Sequence, residues 1–148
     1  MKKIKNEKGQ SLVEMAVSLV LLLLLLSGAV EFGLAFFQFI QLRDAVQEGA
    51  FYGSIAPADS AGITSRTQHA SNSPIDLTTL TPTITYTPVN DIADACEHSD
   101  PNTSVSNGIK VTLTYQHKIF MPFMSGVLGR TTIPLKASVT DTILSPGC

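Results

Sequence analysis

Two carboxylates interrupt an otherwise apolar N-terminal run: Glu14, close behind Gly9, and Glu31, at the run's far end. A carboxylate in lipid is costly unless it is paired, so each needs a partner or a route to water. The residues Gly9-Gln10-Ser11-Leu12-Val13-Glu14 stand where a lysine-rich leader meets the run. A cationic group on a neighbouring chain could be the partner of Glu14 and would then set the axial register of packed helices. Ser11-x-x-Glu14 is equally a capping-box pattern, in which both side chains satisfy backbone N–H groups at a helix start. Glu31 has two readings: a packing partner for a neighbouring subunit, or a solvated group at the outer boundary of the run.

Cys96 and Cys148 are the only cysteines. Outside the cytoplasm an even pair in a small domain favours a disulfide, and closing a loop of this length stabilises by roughly 3 to 4 kcal/mol in the chain-entropy model. The alternative is two free thiols. Asp91, Asp94, Cys96, Glu97, His98 and Asp100 form an acidic group whose spacing matches no EF-hand or zinc pattern, so a solvated loop is expected and no metal. His69 and His117 are isolated in sequence, and a surface or sheet-face position is expected for both. No Gly-x-Ser-x-Gly, phosphate loop or paired catalytic carboxylates appear. Neither catalytic residues nor a cofactor are expected, and the chain does not read as an enzyme.

The elements that must position these residues are unequal. At 148 residues the chain holds one domain and an anchor, not two large domains. Residues 15–30 carry no charge, and Leu21 to Leu26 is unbroken leucine. A helix over residues 11–30 reaches about 30 Å at about 1.5 Å per residue, the thickness of a bilayer's hydrocarbon. The basic leader holds four of the ten Lys and Arg residues (Lys2, Lys3, Lys5, Lys8), which favours a cytoplasmic N-terminus and an extracytoplasmic remainder. Without residues 1–9, six basic and eleven acidic residues remain, with no basic patch, so nucleic acid is not an expected partner. An ordinary signal peptide cut after Ala29 is the competing reading. It would leave the apolar Val30-to-Phe37 start uncovered, and the apolar core exceeds the roughly 7 to 15 residues of such signals.

No proline precedes Pro57, and apolar Phe32, Phe36, Phe39, Ile40 and Val46 recur among polar neighbours such as Gln38 and Gln41. The helix is therefore expected to continue to Ser54, about 65 Å in all, with its second half outside the membrane. Ala45, Gly49 and Gly53 fall at every fourth position, either a stripe for close approach of a helix or sheet, or a helix losing propensity near its end. Residues 56–82, rich in Ser, Thr, Ala and Pro, read as a linker with one short helix from Ser60 to Ala70. Period-two alternation then marks Thr83–Thr87, Ile109–Ile119 and Leu135–Ile143 as strands. One face gathers Ile84 and Tyr86, then Ile109, Val111, Leu113, Tyr115 and Ile119, then Leu135, Ala137, Val139 and Ile143. The expected fold is α+β: a long N-terminal transmembrane helix extending outside the membrane, packed against a small antiparallel sheet. Its organisation is leader 1–9, helix 10–55, linker 56–82 and β-rich domain 83–148.

The Gly9-to-Glu14 segment resembles the processing site of type IV prepilins and pseudopilins, cut after glycine, with glutamate at the fifth mature position; counted from Gln10, that is Glu14. Val30-Glu31-Phe32-Gly33 and Leu42-Arg43-Asp44-Ala45-Val46-Gln47-Glu48-Gly49-Ala50 look like the N-terminal region of TadE-like pseudopilins of the tight-adherence (Flp, type IVc) pilus system. In that family an aromatic residue commonly follows the glutamate, whereas this chain has Met15. The likeness covers roughly the first 55 residues and does not separate TadE-like from TadF- or TadG-like relatives. It implies a minor pilus component in the cytoplasmic membrane, trimmed by a prepilin peptidase at Gly9–Gln10. Its implied partners are membrane lipid, the inner-membrane assembly platform and other pilin-like subunits, TadF-like or Flp-type. The competing function is an uncleaved single-span protein displaying a small adhesion or ligand-binding domain.

Overall fold

A computed structural model describes residues 8–87, 92–93 and 107–144. The chain begins with one helix, α1 (Lys8–Ile55), of 48 residues, which at about 1.5 Å per residue is about 70 Å long. It is followed by α2 (Ser60–His69), a 3-10 turn (Leu77–Thr79), and strands β1 (Thr83–Thr87) and β2 (Gly108–Lys118). A short helix α3 (Pro122–Leu128) and strand β3 (Thr132–Thr142) complete the described chain. The strands form an antiparallel sheet in the order β1-β2-β3, with Tyr86 opposite Ile109 and Lys118 opposite Thr132. The architecture is α+β, as expected.

α1 lives in two environments. Its first half is apolar all round, and large side chains from Leu12 to Leu26 stand exposed on every side. Among the described residues one helix is long and apolar enough to cross a membrane, and none of its most apolar stretch is covered by the rest of the described protein. The second half buries one face. Leu42, Ala45, Val46 and Ala50 join Ile109, Val111 and Leu113 of β2, Ala137 of β3, Ile63 of α2, and Ile75 and Leu77 in a single core. Each of the larger side chains contributes roughly 1.5 to 3 kcal/mol on burial.

The small-residue stripe serves both a helix and a sheet. A Cβ on Gly49 would lie 2.0 Å from Thr67 Oγ1 of α2, and one on Gly53 would lie 2.6 Å from Ile109 Cδ1 of β2. The expected linker differs from what is observed: residues 56–82 supply Ile63, Thr67, Ile75 and Leu77 to the core. Composition misled because few apolar residues suffice when a polar one makes the joint. Gln41, buried on α1, donates from Nε2 to the Ile75 carbonyl at 2.9 Å and accepts the Ile75 N–H at 2.8 Å. At the other end, the Tyr86 hydroxyl donates to the Pro57 carbonyl at 2.8 Å.

Strand boundaries moved little. β3 begins at Thr132, ahead of Pro134, because an edge strand tolerates a residue that cannot donate to the ladder. The α3 helix was not anticipated, although proline at its start and left-handed Gly129 (φ 62°) at its end are ordinary stop signals. Cys96, Cys148 and the acidic residues from Asp91 to Asp100 lie outside the described residues, as do residues 1–7 of the leader.

Asp59 caps α2: its Oδ1 accepts the Gly62 N–H at 2.9 Å, and its Oδ2 accepts the Tyr52 hydroxyl at 2.8 Å. The Gly62 N–H, then the Tyr52 hydroxyl, hold its carboxyl below the usual aspartate value. A depressed folded-state value adds stability above the unfolded one, and that contribution is lost as pH falls through the folded value. The wild type should therefore melt above the D59N variant near neutrality, and thermal scans should show the gap closing below about pH 4. For the stripe, Gly49→Val should push α2 from α1 and lower the stability of the detergent-solubilised chain by roughly 1 to 3 kcal/mol in urea titrations.

Candidate functional site

The residues singled out by chemistry lie along α1 in two groups. Gly9, Gln10 and Glu14 are exposed in the first two turns. A side chain on Gly9 would meet nothing within 4 Å, so packing within the chain does not demand glycine there. Because α1 already runs from Lys8, Ser11 and Glu14 sit inside the helix, and the capping-box reading does not describe them in this chain. Glu14 stands among exposed Leu12, Val13, Met15 and Val17, a carboxylate within an uncovered apolar surface.

Glu31 behaves differently. Expected in solvent or at a contact with a neighbouring subunit, it is only 5% exposed and is engaged inside its own chain. Its Oε1 lies 2.8 Å from His117 Nε2 and accepts the Phe120 N–H at 3.1 Å; its Oε2 accepts the Met121 N–H at 3.1 Å. The other ring nitrogen, His117 Nδ1, lies 2.5 Å from Gln38 Oε1, two turns further along α1. Both ring nitrogens thus face oxygen acceptors, an arrangement that a protonated ring satisfies on both sides and that a half-turn of the Gln38 amide would adapt to a neutral ring. Among the described residues no buried side-chain polar atom lacks a partner.

The geometry follows from two periodicities. Glu31, Gln38 and Ala45 recur on the inward face of α1, as residues spaced by two whole turns must. Along β2, His117 is in phase with Ile109, Val111, Leu113 and Tyr115, so it points to the apolar side and toward α1. His117 takes the expected sheet-face position, and what its isolation in sequence hides is the partner, Glu31. The even spacing of His117 from Ile109 was the available signal, and a polar residue in phase with a buried face implies a buried partner.

The helix that carries both groups can be compared with known proteins. Residues 9–50 match the family model described as TadE-like protein. The N-terminal helix is TadE-like. The match is consistent with a TadE-like protein of Tad pilus systems, and it ends before the residues that form the sheet. No curated protein and no solved structure matches the chain. The TadE-like segment includes Gly9, Gln10, Glu14, Glu31 and Gln38, while His117 lies beyond it.

What this arrangement does chemically is mechanical. Three hydrogen-bond donors gathered on one buried carboxylate tie the far end of the sheet to α1 near the end of its uncovered half. Removing one partner of a buried pair strands the other. His117→Ala should destabilise the detergent-solubilised protein by about 3 kcal/mol. Glu31→Gln, which keeps an acceptor oxygen, should cost less, and the E31A/H117A double variant should cost less than the sum of its single variants in the same denaturation assay.

Proposed function

We propose that this protein is a minor pseudopilin of a tight-adherence pilus, held in the cytoplasmic membrane by the first half of α1. The observation that carries the reading is the TadE-like helix whose apolar first half is left uncovered by its own chain while Glu14 stands within it. A prepilin peptidase hydrolyses the Gly9–Gln10 peptide bond, releasing the lysine-bearing leader and freeing the α-amino group of Gln10. Exposure of Gly9, and the lack of any packing reason for glycine there, fit a position read by a peptidase.

After cleavage the helix packs side by side with those of other pilin-like subunits, of TadF-like or Flp-type character, over the assembly platform. Glu14 pairs with the terminal amine of a neighbour, because a lone carboxylate in that apolar surface is costly. The sheet domain projects outside, and Cys96 and Cys148 close it with a disulfide in that oxidising compartment. The part played by the chain is structural, without turnover of a substrate.

The mass of the intact protein extracted from membranes tests the first step: loss of Met1 to Gly9 is expected, whereas a retained leader would favour an uncleaved single-span protein displaying a surface domain. Gly9→Val should keep its leader without loss of the folded sheet domain. Glu14→Ala should be inserted and trimmed yet assemble poorly, and normal pilus formation by that variant would count against the pairing role.

A further inference from the structure

The β2–β3 connection carries an exposed apolar surface that neither the core nor the proposed subunit packing uses. Its neck is closed by a hydrogen bond from the Ile119 N–H to the Thr131 carbonyl at 3.0 Å. Between these residues the chain reads Phe120-Met121-Pro122-Phe123-Met124-Ser125-Gly126-Val127-Leu128-Gly129-Arg130. Phe120 is 79% exposed and Leu128 46% exposed. Single exposed apolar residues are ordinary, but the position of these two is not arbitrary.

Glu31 accepts hydrogen bonds from the Phe120 and Met121 amides, so the loop is held within one side chain's reach of residue 31 of α1. Residue 31 directly follows the charge-free stretch 15–30 that reads as membrane-spanning. Phe32 and Phe36, exposed and stacked with ring centroids 6.1 Å apart, continue the apolar surface of α1 at the same level. The tether therefore brings the loop to the height at which α1 leaves the hydrocarbon. The loop is flanked by exposed Lys118 and Arg130, whose long side chains can keep their charges among lipid phosphates while their stems lie along apolar surface.

We propose that the β2–β3 loop is a second membrane contact, seating Phe120 and Leu128 in the outer boundary of the bilayer that α1 crosses, with Lys118 and Arg130 at the lipid phosphates. The occupant of the patch is lipid, because the patch is pinned beside the end of the span and is flanked by two cationic side chains, Lys118 and Arg130. The contact holds the sheet domain against the membrane at a fixed tilt, as interfacial anchors do. It rests on the reading of residues 11–30 as the span, and does not require cleavage or pilus assembly.

The chain contains no tryptophan, so one introduced indole reports alone. The full-length Phe120→Trp variant, reconstituted in vesicles of phosphatidylethanolamine and phosphatidylglycerol, should emit at shorter wavelength than in urea. It should lose most of its emission when the lipids carry bromine at the headgroup end of their acyl chains. Leu23→Trp should be quenched by bromine deep in the chains. Phe51→Trp, about 30 Å further along α1 than Phe32 at about 1.5 Å per residue, should be quenched by neither. A blue-shifted but unquenched Phe120→Trp would mean that protein covers the patch and would overturn the proposal, as would a water-like emission. Quenching of Phe51→Trp alongside Phe120→Trp would show the whole domain lying on the lipid and would also overturn it. An unquenched Leu23→Trp would show that the span itself is misread, and the loop contact would fall with it.

Discussion

The sheet has one apolar face, and among the described elements α1 is the one laid along it. A two-layer arrangement of this kind is stable when each layer hides what the other exposes, and neither the three strands nor the second half of α1 can do so alone. Because α1 is a single unbroken helix, the direction of its uncovered first half is imposed on everything that packs on its second half. The position of the sheet relative to the apolar segment is thus a consequence of helix continuity.

Within that frame, a few polar residues decide how the surfaces are joined. Gln41 fastens the chain at Ile75 by two opposed hydrogen bonds to that residue's own N–H and carbonyl, adding to the few apolar contacts that a stretch rich in Ser, Thr and Pro supplies. Glu31 does the same at the other end, where one carboxylate gathers His117 and two backbone amides. Such joints specify more than they stabilise: a hydrophobic surface tolerates sliding, whereas a buried carboxylate is satisfied at one register only. The glycines act in the same sense, since Gly49 and Gly53 let α2 and Ile109 approach to distances that no side chain would permit.

The two carboxylates of α1 show how environment separates like residues. Glu31 is enclosed and fully occupied by its own chain, while Glu14 stands exposed within an apolar surface that no described residue covers. One is spent on the fold; the other is available to a neighbour. This contrast, on a helix whose residues 9–50 match the TadE-like family, is the physical basis for reading the chain as a subunit built to be packed with others.

Much was legible in the residues themselves. The length of α1, the strands β1 to β3 and the face each turns inward follow from proline absence, charge placement and period-two alternation, all local properties of the backbone. The Gly9-to-Glu14 spacing needed no fold to be noticed. What only the tertiary structure decided lies between residues far apart in sequence: that Glu31 meets His117, that Gln41 holds Ile75, and that the small-residue stripe receives α2 and β2 together. A titratable or amide side chain carries no mark of its partner, because hydrogen bonding depends on positions in space that the chain fixes only when its apolar faces have closed.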